Sequence, residues 1–140
     1  MERPPFEILE HTADVGLKIY GATLEELFAN AGRGLMALAF ESVSAEPRQR
    51  LSLHAEGADY EDLLVCWLSE ILYFLDTEGW MFSDFVIQSV EQNKVVGEAL
   101  GERSDPAQRA RAVPVKAVTY HQVSVRQVTE GWEAVVYFDI

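Results

Sequence analysis

The chain is poor in several features that would otherwise point to a chemistry. It has one cysteine among its 140 residues, Cys66, which excludes an internal disulfide and any zinc site built from paired thiolates. No purely apolar run is longer than Leu63–Leu68, far short of the roughly 20 residues that cross a bilayer. Met1-Glu2-Arg3-Pro4-Pro5 lacks the charged-then-apolar order of a secretory signal, so a soluble, cytoplasmic protein without a membrane association is expected. Positive charge is scarce too: 11 Lys and Arg stand against 23 Asp and Glu, a net charge of −12. Phosphate backbones bind cationic surfaces through counterion release, so direct, stable nucleic-acid binding is not expected, and a basic partner or a metal cation fits better. A phosphate-cradling glycine loop, a helical His-Glu-x-x-His and a nucleophile-elbow serine are all missing.

What is present suffices for a packed core. Hydrophobic residues make up 49% and aromatics 11%, with only five prolines, which is more than disordered chains carry. One domain over residues 1–140 is the expectation for this length. Phe6–Glu10 and Val15–Tyr20 alternate as strands, the second with Val15, Leu17 and Ile19 on one face, around the polar connection His11-Thr12-Ala13-Asp14. Thr23-Leu24-Glu25-Glu26 is a capping box, and Leu24, Leu27, Phe28, Ala31, Leu35 and Leu38 follow at helical spacing, predicting a helix from Leu24 to about Phe40. Gly32 and Gly34 each cost about 1 kcal/mol inside it, which implies a close crossing there.

Leu51–Ala55 alternates as a third strand. Asp59 suits the N-cap of a second helix whose apolar stripe, from Leu63 through Trp67 to Leu75, marks it as the core helix, ending before Gly79. Cys66 within it reads as a buried core thiol. Phe85–Val90 and Lys94–Leu100 pair around Gln92-Asn93, and Gly101–Ala112 reads as a surface loop whose Arg103, Arg109 and Arg111 are solvated charges. Val115–Val125 alternates over eleven residues as one long strand, and Thr129-Glu130-Gly131 turns the chain into Trp132–Phe138. The order of elements predicts an α+β fold: two main helices packed on a mainly antiparallel or mixed β-sheet, closing with a C-terminal β-hairpin.

The chemistry-bearing residues gather at junctions and at the end of the chain. Asp139 and Ile140 follow directly on a strand, which sets a side-chain carboxylate beside the α-carboxylate. If Asp14 lies across from them, three carboxylates converge, and each pair near 4 Å repels by about 4 kcal/mol at an effective dielectric of 20. A hard divalent cation relieves that repulsion, and oxygen-only donors select Ca²⁺, Mg²⁺ or Mn²⁺ over zinc. Asp14 suits a turn or N-cap equally well. On the expected long strand Thr119 and His121 share a face with Val115 and Ala117, while Lys116 lies on the other. His11, in the same polar turn as Asp14, is a further candidate, and His54, on the wet face with Ser52, is a weaker one.

His11-Thr12-Ala13-Asp14-Val15-Gly16, the Leu63–Leu68 helix segment, Gly101-Glu102, Val115–His121 and the terminal Phe138-Asp139-Ile140 together resemble the archease family, end to end. The resemblance implies a non-catalytic activator in tRNA processing, acting in tRNA splicing on an RtcB-type RNA ligase. It would promote ligase guanylylation and multiple turnover. It also implies a divalent metal, calcium, manganese or magnesium, held by Asp14, Asp139 and Ile140, with Lys116, Thr119 and His121 in support. The stretch before Val115 departs from the family pattern, which usually has a histidine near the position of Arg109 and an acid where Pro114 stands. Two other classes fit the residues, a chaperone-like binding module and a metal-dependent phosphoesterase using the same carboxylates.

Overall fold

The computed structural model describes residues 3–10, 14–104 and 111–140. Eight strands and two helices follow in the order β1 (Phe6–Glu10), β2 (Asp14–Gly21), α1 (Leu24–Ala39), β3 (Gln49–Glu56), α2 (Tyr60–Glu78), β4 (Trp80–Glu91), β5 (Lys94–Arg103), β6 (Ala117–Val118), β7 (Ser124–Val128) and β8 (Gly131–Asp139). The expected α+β class holds, and the described strands form two antiparallel sheets. One is five-stranded, ordered β1-β2-β8-β6 with β7 also paired to β8; the other is three-stranded, ordered β3-β5-β4.

Both helices form where capping and periodicity place them. Thr23 accepts the Glu26 N–H at the start of α1, Asp59 accepts the Asp62 N–H at the start of α2, and Gly79 at φ 70° stops α2 in the left-handed conformation that favours glycine. The stripe from Leu63 to Leu75 is buried along the inner side of α2, with Trp67 fully buried and its indole N–H donating to the Phe28 carbonyl of α1 at 3.1 Å. Helix α1 touches β2 and β4, one strand of each sheet, and so joins the two layers into one core. Its glycines make that possible. A Cβ on Gly32 would come within 2.7 Å of the Phe85 ring, and one on Gly34 within 3.0 Å of Leu17.

Several expectations change in detail. The eleven-residue strand over Val115–Val125 is not formed; only Ala117–Val118 pair with β8, the chain turns through Gln122 at φ 55°, and β7 starts at Ser124. His121 therefore sits in a turn and does not share a strand face with Thr119. β4 begins at Trp80, five residues earlier than the alternation suggests, because bulges between Phe82 and Asp84 and between Ile87 and Ser89 shift its period. Cys66 is half-buried, not buried, with its thiol 3.8 Å from the Asp62 carboxylate. Arg103 is exposed as expected, 3.7 Å from Glu78, whereas Arg111 is half-buried and paired with Asp76 at 2.9 Å; Arg109 lies outside the described residues. His54 is exposed, as its alternation with Ser52 requires.

Gly32→Ala tests the close crossing. Helix propensity alone favours alanine by about 1 kcal/mol, but Phe85 is buried edge-on against Phe82 and cannot yield. Overpacking costs about 1–3 kcal/mol, so the variant should be the less stable protein in urea unfolding. A gain in stability would mean that the helix does not press on β4 there.

Candidate metal centre

The site is built by register. β2 and β8 run antiparallel with Val15 opposite Phe138, Leu17 opposite Val136 and Ile19 opposite Ala134, all buried on the core face. A one-residue slip would turn every one of these side chains to the other face, so the apolar set fixes the pairing. That pairing puts Asp14 directly opposite Asp139 at the end of the ladder, on the opposite face from the core. Side chains directly opposite in an antiparallel pair have Cβ atoms about 4.5–5.5 Å apart, and like charges there destabilise. Ala117 of β6 pairs with Asp139 on its other side, a small side chain that leaves the carboxylates room.

Around this pair the other candidates are distributed unevenly. Ile140 follows Asp139 and is 40% exposed. Lys116 donates its backbone N–H to the Asp139 carbonyl at 2.8 Å, and its exposed side chain borders a groove of about 260 Å³ between α2 and β6, facing Ser69, Tyr73 and Asp76. Each described arginine has an acidic partner, whereas Lys116, like Lys18 and Lys94, forms no ion pair among the described residues. Thr119 donates its hydroxyl to the Tyr137 carbonyl at 3.0 Å and accepts the His121 N–H at 3.3 Å. The exposed His121 ring meets the Tyr137 ring edge-on at 6.3 Å. Tyr137 in turn packs over Gly16, where a Cβ would come within 2.7 Å of the ring. His11 lies outside the described residues.

The donor chemistry fits a hard cation. Two aspartates stand opposite each other at the end of the ladder, and carboxylate oxygens are the donors that Ca²⁺, Mg²⁺ and Mn²⁺ take. Among the described residues no three His, Cys, Asp or Glu side chains gather as a metal-holding group, so the pair needs further oxygens from main-chain groups, water or another molecule.

Glu61 and Asp62 suit the first turn of α2 by their charge toward the helix dipole, but the sequence does not show what they hold. Asp62 accepts the Tyr120 hydroxyl at 2.6 Å, and Glu61 accepts the Val125 N–H at 3.0 Å. The Tyr120 hydroxyl, and then the Ala58 N–H, hold the Asp62 carboxyl below the usual carboxylate range. The same bond, followed by burial, pushes the Tyr120 phenol well up. Burial, then the charge of Asp62, raises the Cys66 thiol. Asp62 and Tyr120 are 58 residues apart, and no local pattern announces the pairing.

The facing carboxylates make a direct prediction for stability. In chelator, Asp139→Asn removes a like-charge cross-strand pair and should raise the unfolding free energy by about 0.2–1 kcal/mol. A loss of stability would mean that the two carboxylates do not oppose each other.

Comparison with known proteins identifies the fold and the relatives. The model of the Archease protein family matches residues 6–140. Curated relatives called protein archease include one from Methanopyrus kandleri, 35% identical over 97% of this chain and 99% of that one. A second, from Pyrococcus furiosus, is 36% identical over 96% of this chain and 98% of that one. The solution structure of Methanobacterium thermoautotrophicum protein 1598 superposes with a TM-score of 0.77 and 32% identity, covering 97% of this chain and 99% of that one. No described helix is long and apolar enough to cross a membrane. With its family model matched almost end to end, the chain belongs to the archease family.

Proposed function

We propose that this chain is an accessory protein of an RtcB-type RNA ligase in tRNA splicing, working from the cytoplasm and without catalysis of its own. The observation that carries the reading is the register that sets Asp14 opposite Asp139 at the end of the β2–β8 ladder, in a chain of this family. Asp14, Asp139 and the carboxylate of Ile140 would hold a divalent cation, and the bound ion would offer a partner's phosphate oxygens or waters a concentrated positive charge. The chain's own residues do the rest. Net charge of −12 steers the protein toward a cationic cleft such as one that binds nucleotide and RNA. Lys116, with no acidic partner of its own, is available to an anion of the partner. Its backbone N–H, bonded to the Asp139 carbonyl, keeps that lysine at the same end of the sheet. Promotion of ligase guanylylation and of repeated turnover follows if the docked tip orders the ligase's metal and nucleotide.

The test uses a compatible RtcB-type ligase with GTP, Mn²⁺ and RNA ends, comparing no addition, wild type and Asp139→Ala. Wild type should accelerate both guanylylation and multiple-turnover joining, and Asp139→Ala should lose most of both effects. An extension after Ile140 should reduce activation while the melting temperature stays within a few degrees. Wild type that binds the ligase yet alters neither step would overturn the accessory reading in favour of a general binding module. Hydrolysis of simple phosphoesters by the purified protein with Mn²⁺ would favour an enzyme.

A further inference from the structure

The segment that joins β6 to β7 is held both from its sheet and from outside it. It leaves β8 at Thr119, whose N–H donates to the Tyr137 carbonyl at 2.9 Å, and turns through Gln122 at φ 55°. A non-glycine residue in the left-handed region is an uncommon conformation that persists where its surroundings fix it. β6 itself pairs over only two residues, too few to fix the turn that follows. The turn's own bond, from the Val123 N–H to the Tyr120 carbonyl, is long at 3.3 Å, and the two carboxylates of the first turn of α2 add holds from outside, Asp62 gripping the Tyr120 hydroxyl on one side of Gln122 and Glu61 gripping the Val125 N–H on the other.

Asp62 is well placed to act as a fixed post. Its second oxygen accepts the Ala58 N–H at 2.8 Å, while its own N–H donates to the N-cap Asp59 at 2.8 Å. The carboxylate is therefore anchored to the helix start on one side and free to hold Tyr120 on the other. Tyr120 is 59% exposed, so burial does not account for where it sits; its hydroxyl bond does. The residues on either side of Tyr120 are Thr119 and His121, both bonded or packed to Tyr137, which covers Gly16 two residues from Asp14.

We infer that Asp62 and Tyr120 are positioning residues for the site: their bond pins the segment that presents Thr119 and His121 against Tyr137, two residues before Asp139, and so sets how well this tip docks on its partner. The inference rests on the accessory reading above. Asp14 and Asp139 lie on β2 and β8, outside the pinned segment, so breaking the bond should loosen the docking surface and spare the carboxylate pair.

The experiment takes the full chain as wild type, Tyr120→Phe, Asp62→Asn and the double variant through three readouts. Amide hydrogen exchange at Thr119, His121 and Val125 should quicken about tenfold in each variant, with the β3–β5 amides unchanged. Mn²⁺ affinity should match wild type. In the ligase assay, the concentration of protein giving half the maximal effect should rise about three- to tenfold while the effect at saturation is kept, and the double variant should be no worse than the worse single one. Unchanged exchange at those three amides would overturn the inference. Losses that multiply in the double variant, or a loss of the saturating effect like that of Asp139→Ala, would overturn it as well. A ligase indifferent even to wild type would refute the accessory reading and the docking role with it, and the exchange data would still decide separately whether the bond pins the segment.

Discussion

Everything at the candidate site depends on the pairing of β2 with β8. This ladder is the centre of the five-stranded sheet, with β1 outside β2, and with β6 and β7 sharing the other edge of β8. Its core face is apolar throughout, from Val15 and Phe138 to Ile19 and Ala134. Burying that face fixes the register, and the register then sets two aspartates opposite each other at the far end, where like charges are an unfavourable cross-strand choice. An unfavourable pair maintained by a favourable core is the arrangement expected where charge is being kept for a ligand, since local rules are broken chiefly at functional sites.

Helix α2 serves two ends in the same way. Its inner stripe is buried and ties to α1 through Trp67, while its first turn carries the acids that meet the chain leaving β6. The cap of the helix and the placing of the site segment thus share one carboxylate, Asp62. Helix α1 has the complementary task of joining the sheets, and its two glycines let Phe85 and Leu17 approach the helix backbone.

Much of the fold was legible in the sequence because its signals are local. Thr23 and Asp59 cap the helices they were expected to cap, the apolar stripes of both helices face the core, and Val15, Leu17 and Ile19 share the buried face of β2. The two glycines of α1 signalled a close approach without saying to what. The division into two sheets was not legible, since strand partners are set by contacts between distant segments. Nor was the break in the Val115–Val125 alternation, because Gln122 carries no turn signal and two of the bonds that hold the turn come from the distant Glu61 and Asp62. At the site, charge arithmetic suggested Asp14 and Asp139, and only the register brings them face to face. Lys116 emerged from the family resemblance, and the structure adds that it is in no ion pair.

The central claim is that the end of the β2–β8 ladder holds a divalent cation. Titration of Mn²⁺ into isotope-labelled protein, followed by paramagnetic broadening of the amide signals, tests it most directly. The account predicts that the amides of Asp14 to Gly16, Ala117 and Tyr137 to Ile140 disappear first, at sub-stoichiometric metal, and that Asp14→Asn abolishes the effect. Broadening centred elsewhere, such as on the acidic first turn of α2, or spread evenly over the acidic surface, would contradict it.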